Sequence, residues 1–477
     1  MEAIIQASYL IAAALFILGL KQMSSPVTAR RGILWAGAGM VLATLVTFMT
    51  PEILAGEQVN SNILLIIVAI ALGGGYAWYS GKKVAMTDMP QMIAMYNGMG
   101  GGAAAAIAAV ELLKASTEAS NDLSGATTVA NVLGTDVAIL GILGAIIGTI
   151  SFSGSIIAWA KLDGRLNRSK LLPKQHLVNA VLAIATVGFA AAIYFSADIN
   201  TIIIFYALAL VLGIFITVPV GGADMPVIIS LFNALTGLAV GFEGYVLGNA
   251  AMIIAGIVVG SAGSLLTQLM AKAMNRSVAN VFFAGVGTGD VVASGDGTEG
   301  VMKEIQAQDA GILMSFASQV VIIPGYGMAV AQAQHKIWEL TQILTEKGVS
   351  VKFAIHPVAG RMPGHMNVLL AEAGVPYDMI YDMDDINADF KNTTVALVIG
   401  ANDVVNPSAK NDTSSPLYGM PILDAMNADN VIVIKRGRGA GFSGVENPLF
   451  FADNTKMLFG DGQKAASALI QAVKELG

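Results

Sequence analysis

The residues best suited to binding chemistry lie in a glycine-rich turn in the last third of the chain. A predicted β-strand, residues 319–323, runs into a Gly-Tyr-Gly turn at Gly325 and Gly327. A long predicted helix continues from this turn to about residue 346. A strand, a G-x-G turn and a helix let the main chain approach a pyrophosphate at the helix N-terminus. Val330 stands where such a motif has its third glycine, so a turn that only packs the helix on the sheet is the alternative.

A basic loop after a later predicted strand indicates which dinucleotide would bind. It contains Lys435, Arg436 and Arg438 among glycines. Cationic side chains hold phosphates through charge-assisted hydrogen bonds. The second predicted strand, residues 351–355, ends in His356 rather than in the carboxylate that NAD sites place on the ribose. The pattern favours NADP over NAD, and a solvated surface loop is the alternative.

Further polar candidates follow another predicted strand, residues 394–399. Ligands of open α/β sheets bind at the carboxyl ends of strands, so Asp403 and Asn406 are candidates to hold ribose or pyrophosphate-bound water. Capping of their own loop is the equal alternative. Arg361 adds a positive charge in a loop bent by glycine and proline. No residues resemble a nucleophile with its base, and a hydride transfer needs no such catalytic pair because a cofactor carries the chemistry.

The elements that position these residues alternate between strands and helices. The predicted strands cover residues 319–323, 351–355, 379–381, 394–399, 431–434 and 457–459. Such alternation predicts a Rossmann-like α/β domain with a parallel sheet, which we assign to residues 312–477. Residues 273–311 are of mixed composition and are predicted to be a linker.

Residues 1–272 are predicted to lie in a membrane. Only 12% of the 477 residues are charged, against about 25% in an average soluble protein. The net charge of -7 belongs entirely to residues 273–477, since residues 1–272 hold 12 basic and 12 acidic residues. A span of about 30 Å takes about 20 apolar residues. Nine runs qualify and predict an all-α bundle of nine transmembrane helices: 3–22, 33–50, 62–80, 89–113, 136–160, 177–197, 199–219, 225–242 and 249–271.

The loop charges predict the orientation of this bundle, because basic loops stay in the cytoplasm. The first, third and fifth loops are basic, and the second, fourth, sixth and eighth are acidic, the eighth through Glu243. The N-terminus is therefore expected outside and the C-terminal domain in the cytoplasm. The absence of cysteine excludes disulfides and thiolate metal sites, and we predict no metal centre. The acidic net charge gives no case for nucleic-acid binding.

The predicted membrane segments contain an internal repeat. Asp88-Met-Pro and, nine residues on, Asn97 recur as Asp224-Met-Pro and Asn233. Nine helical residues cover about 13.5 Å, which places both amides near the bilayer middle. Both copies start on the cytoplasmic side, so the repeat is parallel. A shared polar pathway is one interpretation; caps by the aspartates and an interhelical hydrogen bond of about 1 kcal/mol are the alternative.

The combination of nine spans, two Asp-Met-Pro…Asn repeats and a C-terminal Gly-Tyr-Gly domain resembles the β subunit of proton-translocating NAD(P) transhydrogenases. Segments 324–334, 356–367, 400–407 and 435–450 carry the resemblance in the C-terminal domain. The resemblance implies hydride transfer between NADH and NADP⁺, coupled to a proton that crosses the membrane. It implies NADP(H) on this chain, NAD(H) on a separate α subunit, a dimer of α–β units, and the lipid bilayer of a bacterial inner membrane.

The resemblance also assigns roles to residues. The cofactor turn would comprise Gly325, Tyr326, Gly327, Ala329 and Val330, with Gly400 and Asn402 in the same binding set. Lys435 and Arg436 would hold the 2′-phosphate, and Asp403 and Arg361 would lie near the nicotinamide end or the domain interface. Residues 373–389 resemble the family's mobile lid.

The chain departs from the family at one position in the membrane. Some relatives carry a histidine where this chain has Asn97, so the protonatable group could belong to a partner subunit. A pathway through this chain would use Asn97, Asn233 and Asp224, with Asp136 and Glu243 as further candidates. A channel gated by a nucleotide-sensing domain is the rival function, but no filter of alternating glycine and threonine carbonyl donors is found.

Overall fold

The computed structural model describes residues 2–476 except 55–58, 122–127, 167–173, 222–223, 275–276, 280–299, 363, 416, 440 and 442. The chain divides into two compact units, the first built on Met1–Thr267 and the second containing the C-terminal residues to Gly477. Most of the predicted linker, residues 280–299, lies outside the described residues.

The first unit is helical, and nine of its described helices are long and apolar enough to cross a membrane. They are α1 Glu2–Met23, α2 Pro26–Thr47, α3 Val59–Lys83, α4 Met89–Asn121, α5 Thr135–Leu162, α6 Gln175–Phe195, α7 Ile199–Thr217, α8 Met225–Val246 and α9 Ala250–Ala273. Short helical turns lie between them at Pro51–Leu54, Met86–Asp88 and Val129–Leu133. The nine predicted spans are confirmed.

The largest differences from the predicted spans are at charged helix ends. Helix α2 begins seven residues before the predicted start, with Pro26 in its first turn, where proline loses no helical hydrogen bond. Helix α4 continues eight residues beyond the predicted end at residue 113. The pair Glu111–Lys114, 2.7 Å apart, lies on one helix face and spans the predicted end. Hydropathy underestimates such ends because a helix does not stop where its apolar run stops.

Small residues let α5 pack closely between α4 and α8. A Cβ on Gly101 would lie 3.0 Å from the carbonyl oxygen of Gly148, and one on Gly154 would lie 2.3 Å from the Phe232 ring. Gly98 of α4 lies against Ser155 of α5 and Gly101 against Gly148, while Thr236 of α8 contacts Ser151 and Glu243 contacts Gly144, so α5 is antiparallel to both helices. Helices α4 and α8, which carry the two Asp-Met-Pro repeats, are therefore parallel, as predicted.

The second unit is built on a six-stranded sheet in which every pair of neighbouring strands is parallel. The strands are β1 Gln319–Pro324, β2 Ser350–Ile355, β3 Ile380–Asp382, β4 Val395–Ile399, β5 Asn430–Lys435 and β6 Thr455–Phe459. The order β3-β2-β1-β4-β5-β6 is that of a doubly wound sheet, whose direction of winding changes between β1 and β4. The predicted α/β class and all six predicted strands are confirmed.

Helices surround this sheet. They are α10 Ala307–Ser315, α11 Tyr326–Val330, α12 Gln334–Glu346, α13 His365–Ala373 and α14 Gly462–Glu475, with short turns at Tyr377–Met379, Met383–Ile386, Asn387–Asn392, Asp403–Val405, Ser408–Asn411, Ala425–Asn427 and Pro448–Phe451. In the sheet centre, Ile322 pairs with Phe353 on one side and with Leu397 on the other, and all three are fully buried. Burial on both faces is typical of parallel sheets.

Two sequence predictions about local structure are wrong. The predicted single helix after the Gly-Tyr-Gly turn is two helices, because Gln332 adopts a left-handed conformation with φ 50°. The Ala333 amide donates to the carbonyl of Met328, 3.1 Å away, in the pattern that ends a helix. Glu243, predicted in a loop, lies inside α8.

Candidate functional site

The site is built where β1 and β4 end side by side, at the change in winding direction. The Gly325 amide donates to Ile399 O and the Gly327 amide donates to Gly400 O, each at 2.9 Å. Gly400 has φ 68°, and a Cβ there would lie 2.2 Å from the Met328 nitrogen. Glycine is required at this position for both reasons. The two glycine segments hold each other's main chain in place.

A cavity of about 460 Å³ opens at this edge. Six of the predicted cofactor-binding residues line it: Gly327, Val330, Gly400, Asn402, Lys435 and Arg436. The other five, Gly325, Tyr326, Ala329, Arg361 and Asp403, are not among its lining residues. The volume is within the range of small-molecule sites, about 300–1,000 Å³.

The basic rim of the cavity is formed where β5 ends, by Lys435 and Arg436. Lys435 donates to the carbonyl of Gly439, and its ammonium lies 4.7 Å from the centre of the Phe450 ring. Partial burial lowers the pKa of Lys435, and the charge of Asp403 opposes this shift. Arg436 is exposed at the same rim. The two cations are placed to meet an anion that enters the cavity.

Asn402 offers a polar group to the cavity. Its side-chain oxygen accepts a hydrogen bond of 3.0 Å from Asn447 Nδ2, which fixes the orientation of the amide. Its Nδ2 is buried and has no hydrogen-bond partner among the described residues. Leaving a buried donor unpaired costs about 1–3 kcal/mol, so this amide fits a site that expects an acceptor from a ligand.

Asp403 and Asn406 both hold loops. Asp403 accepts from the Ser443 amide at 3.0 Å and from the Ser443 hydroxyl at 2.8 Å. Burial raises the pKa of Asp403, and the bonds from Ser443 oppose the shift. Asn406 is fully buried and donates to Glu446 O at 3.1 Å. For Asn406 the structure shows loop support, the alternative to ligand binding.

Tyr326 and Arg361 form a neighbouring cluster with His365. The Arg361 guanidinium lies 4.4 Å from the centre of the Tyr326 ring. His365 accepts at Nδ1 from the Arg361 amide, 3.0 Å away. Burial, with the positive charge of Arg361 as a smaller cause, lowers the pKa of His365 to about 4. A neutral histidine and a charged arginine stacked on an aromatic ring suit positioning rather than acid–base chemistry.

The third side of the cavity was not predicted. Gly460, Asp461 and Gly462, which connect β6 to α14, line it. Asp461 caps α14 by accepting from the Gln463 amide at 3.1 Å and the Lys464 amide at 3.3 Å. A Gly-Asp-Gly sequence directly after a predicted strand is the signal that could have identified this side.

The segment that resembles a lid is regular in its second half. Strand β3 lies within residues 373–389 and pairs with β2, with Ile380 opposite Phe353. Gly374, at φ 91°, ends α13 at the start of the segment. Its proposed mobility stays a prediction.

The membrane unit holds a polar seam, which we define as Asn97, Ser151, Ser155 and Thr236 on α4, α5 and α8. Asn97 Nδ2 donates to Ser155 Oγ at 3.0 Å, and the hydroxyls of Ser151 and Thr236 are 2.5 Å apart. Ser151 Oγ also donates to Phe232 O at 3.0 Å, next to Asn233. The two repeat helices thus meet through serines of α5.

The repeat residues differ in their surroundings. Asn233 is half-buried, and among the described residues no hydrogen bond joins its side chain to Asn97. Asp224 is buried and precedes α8, but its side chain makes no capping hydrogen bond there. Asp88 is exposed and accepts from Gln91 Nε2 at 3.3 Å. The capping alternative therefore does not account for Asp224.

The two units define a multi-pass membrane protein that carries a doubly wound α/β domain with a glycine-lined cavity. The family model of the NAD(P) transhydrogenase beta subunit matches residues 5–472. Two relatives from Rhodospirillum rubrum, both described as NAD(P) transhydrogenase subunit beta, are each 44% identical over 475 residues, which is 99% of this chain and 99% of theirs. The chain belongs to the NAD(P) transhydrogenase beta subunit family, as the sequence motifs predicted, and the name beta subunit implies an alpha partner.

Proposed function

We propose that this chain binds NADP(H) in the cavity at the β1–β4 edge and works with an α subunit that binds NAD(H). Direct hydride transfer between the two nicotinamides is the chemistry that the bound cofactors supply. The observation that carries the proposal is the position of Lys435 and Arg436 on the rim of a glycine-lined cavity at the switch point of the sheet.

The residues of the cavity bind and orient. The glycines at 325, 327 and 400 let the two strand ends pack main chain against main chain, and this packing holds Gly327 and Gly400 in the wall of the cavity, where a pyrophosphate would meet no side chain of theirs. Helix α11 is only five residues long, so close main-chain approach counts for more here than a helix dipole. Lys435 and Arg436 hold the 2′-phosphate, and Asn402 Nδ2 donates to the ligand.

Three further residues belong to the proposed site although they do not line the cavity. Arg361, which is stacked on Tyr326, and Asp403, which positions the loop of Ser443 beside the basic rim, would lie near the nicotinamide end or the domain interface. Ala329 is fully buried, so its small side chain serves to pack α11 on the sheet.

The proton pathway that we propose runs through the membrane unit near Asn97, Asn233 and Asp224. The seam supports this proposal because it joins polar groups of α4, α5 and α8 inside an apolar bundle, where such groups are costly and generally functional. Protonation along this pathway would change how the NADP(H) domain docks or opens.

In the cell, we propose that the chain has one membrane domain and one cytoplasmic domain. Residues 1–272 form the transmembrane domain in a bacterial inner membrane, with the N-terminus outside. Residues 273–311 link it to the cytoplasmic NADP(H) domain, residues 312–477. Two α–β units form a dimer. The alternation of basic and acidic loops supports the orientation.

The change Lys435→Ala tests the site. A charge-assisted hydrogen bond is worth about 1.5–3 kcal/mol, so the variant should bind NADP(H) about tenfold to a hundredfold more weakly. Binding of NAD(H), which lacks the 2′-phosphate, should change little. Lys391→Ala, at an exposed position of the same unit, is the matched control. Calorimetric titration of the full chain in detergent measures both affinities, and equal losses for the two cofactors would refute the role of Lys435.

A further inference from the structure

Glu243 is a carboxyl group that the proposed pathway does not use. It lies in α8, nineteen residues after Asp224, and none of its surface is exposed. Nineteen helical residues rise about 28 Å, nearly the thickness of the hydrocarbon layer. Glu243 and Asp224 therefore lie at opposite ends of the same span.

The surroundings of Glu243 are shaped for its carboxyl group. A Cβ on Gly144 of α5 would lie 2.0 Å from Glu243 Oε1, so only glycine leaves room for the carboxyl at that contact. Both carboxyl oxygens are buried and have no hydrogen-bond partner among the described residues. An ionised carboxylate buried in this way costs several kcal/mol, and proteins avoid the cost by keeping the group neutral.

No described cation compensates Glu243. Glu111 of α4 is the charged group that acts on it, and Glu111 is itself paired with Lys114 at 2.7 Å. From α7 the facing titratable group is Tyr206, whose hydroxyl donates to Ala105 O at 2.9 Å.

Among the described residues, the other two neighbouring helices, α5 and α9, also offer no partner to the Glu243 carboxyl. On α5 the nearest acid, Asp136, accepts from the Tyr245 hydroxyl of α8 at 2.7 Å. Helix α9 contacts this part of α8 through the main chain of Ile253 opposite Gly244, and its one charged residue, Lys272, is in its last turn. Glu243 is thus a buried acid whose state depends on proton exchange, not on an ion pair.

Glu243 lies on the same line as the polar seam. Thr236 and Glu243 are seven residues apart on α8, and Ser151 and Gly144 are seven residues apart on α5, so each pair shares one helix face. The Ser151–Thr236 contact and the Gly144–Glu243 contact are therefore two turns apart, about 10.5 Å along the bundle. Glu243 therefore lies along the contact between α5 and α8, two turns beyond the seam.

We propose that Glu243 is the proton-exchanging group at the end of the polar seam opposite Asp224. Its carboxylate accepts a proton when water reaches that end, and its carboxyl group releases the proton toward Thr236 and Ser151. Only a proton moves, so no oxidant or reductant is needed. The proposal rests on the proposed proton pathway and assigns a position in it to Glu243, which the sequence offered as a further candidate but placed in a loop.

The test uses the complete α–β complex in lipid vesicles. Glu243→Gln keeps the size of the side chain but removes the acid, and Glu243→Asp keeps the acid. Glu118→Gln, an exposed carboxyl on α4, is the control. Proton-coupled turnover should fall on the order of a hundredfold in the glutamine variant. The aspartate variant should recover part of it, and NADP(H) affinity should be unchanged in all three.

Infrared difference spectra of the same complexes give a second measurement. The band of a protonated carboxyl that changes with pH should be lost in Glu243→Gln and kept in Glu118→Gln. Normal proton coupling in Glu243→Gln, or an unchanged band, overturns the proposal. Equal loss of NADP(H) binding in the glutamine and aspartate variants also overturns it, since that indicates a packing role. If the unmodified complex moves no protons, the proposed function fails, and the infrared band alone decides the role of Glu243.

Discussion

Gly400→Ala, compared with a control glycine, should show how much stability is lost through main-chain strain and how much through the displaced wall of the cofactor cavity. The residue has φ 68°, a conformation that costs a residue with a Cβ about 1–2 kcal/mol. The new Cβ would also lie 2.2 Å from Met328 N and 2.5 Å from the Gly327 carbonyl carbon, which are both main-chain atoms. Because they cannot rotate away, the strand ends must separate, at about 1–3 kcal/mol more. We expect a total loss of about 2–5 kcal/mol.

Gly348→Ala is the control for this variant. Gly348 has a similar φ of 85° in the same unit, but a Cβ added there would meet nothing within 4 Å. It should lose only the strain of about 1–2 kcal/mol. Amide hydrogen exchange along β1 and β4 of the full chain measures the local stability of both variants. NADP(H) affinity should fall about tenfold or more in Gly400→Ala alone, since a lost pyrophosphate contact costs about 1.5 kcal/mol or more. Equal stability and equal affinity in the two variants would refute the argument.

The remaining predictions concern the seam and a buried histidine. Asn97→Ala and Asn233→Ala should each lower proton-coupled turnover in vesicles while NADP(H) affinity changes little; normal turnover and vesicle acidification would make the seam merely structural. Burial lowers the pKa of His356 to about 4, although its bond to Pro421 O opposes the shift. The unfolded chain therefore binds a proton below about pH 6.5 that the folded chain does not, and stability should fall by about 1.4 kcal/mol per pH unit between pH 6.5 and 4. Hydrogen exchange of β2 checks this dependence, which His356→Gln should weaken and the exposed His335→Gln should leave intact.

Much of the fold follows from the sequence because two kinds of apolar run dominate it. Long uncharged runs predict the membrane helices, and short β-branched runs between helical segments predict the strands. The break at Gln332 was not predictable in this way, because neither a glycine nor a proline marks it. The left-handed conformation of Gln332 is accompanied by the hydrogen bond from the Ala333 amide to Met328 O, which the sequence pattern does not indicate.

The site was predictable where one segment carries several signals. The Gly-Tyr-Gly turn and the basic loop each combine a strand end with unusual composition, and both reach the cavity edge through Gly327 and Lys435. Glu243 shows where prediction from the sequence fails. A charge near the end of an apolar run predicts a loop, and only the contact with Gly144, ninety-nine residues away in the chain, shows that this carboxyl is buried.

At the start of the α/β unit, an ion pair and two main-chain hydrogen bonds differ in how firmly they hold the chain. Arg438 of the basic loop pairs with Glu304 at 2.9 Å, but both side chains are largely exposed, and such a pair is worth at most about 1 kcal/mol. The main chain holds this segment more firmly. The Ile305 amide donates to Met457 O at 3.0 Å and the Met457 amide donates to Lys303 O at 2.7 Å, at a fully buried position of β6. Main-chain pairing of this kind leaves no trace in hydropathy or charge. Residues 303–305, inside the predicted linker, are therefore joined to β6 by their main chain.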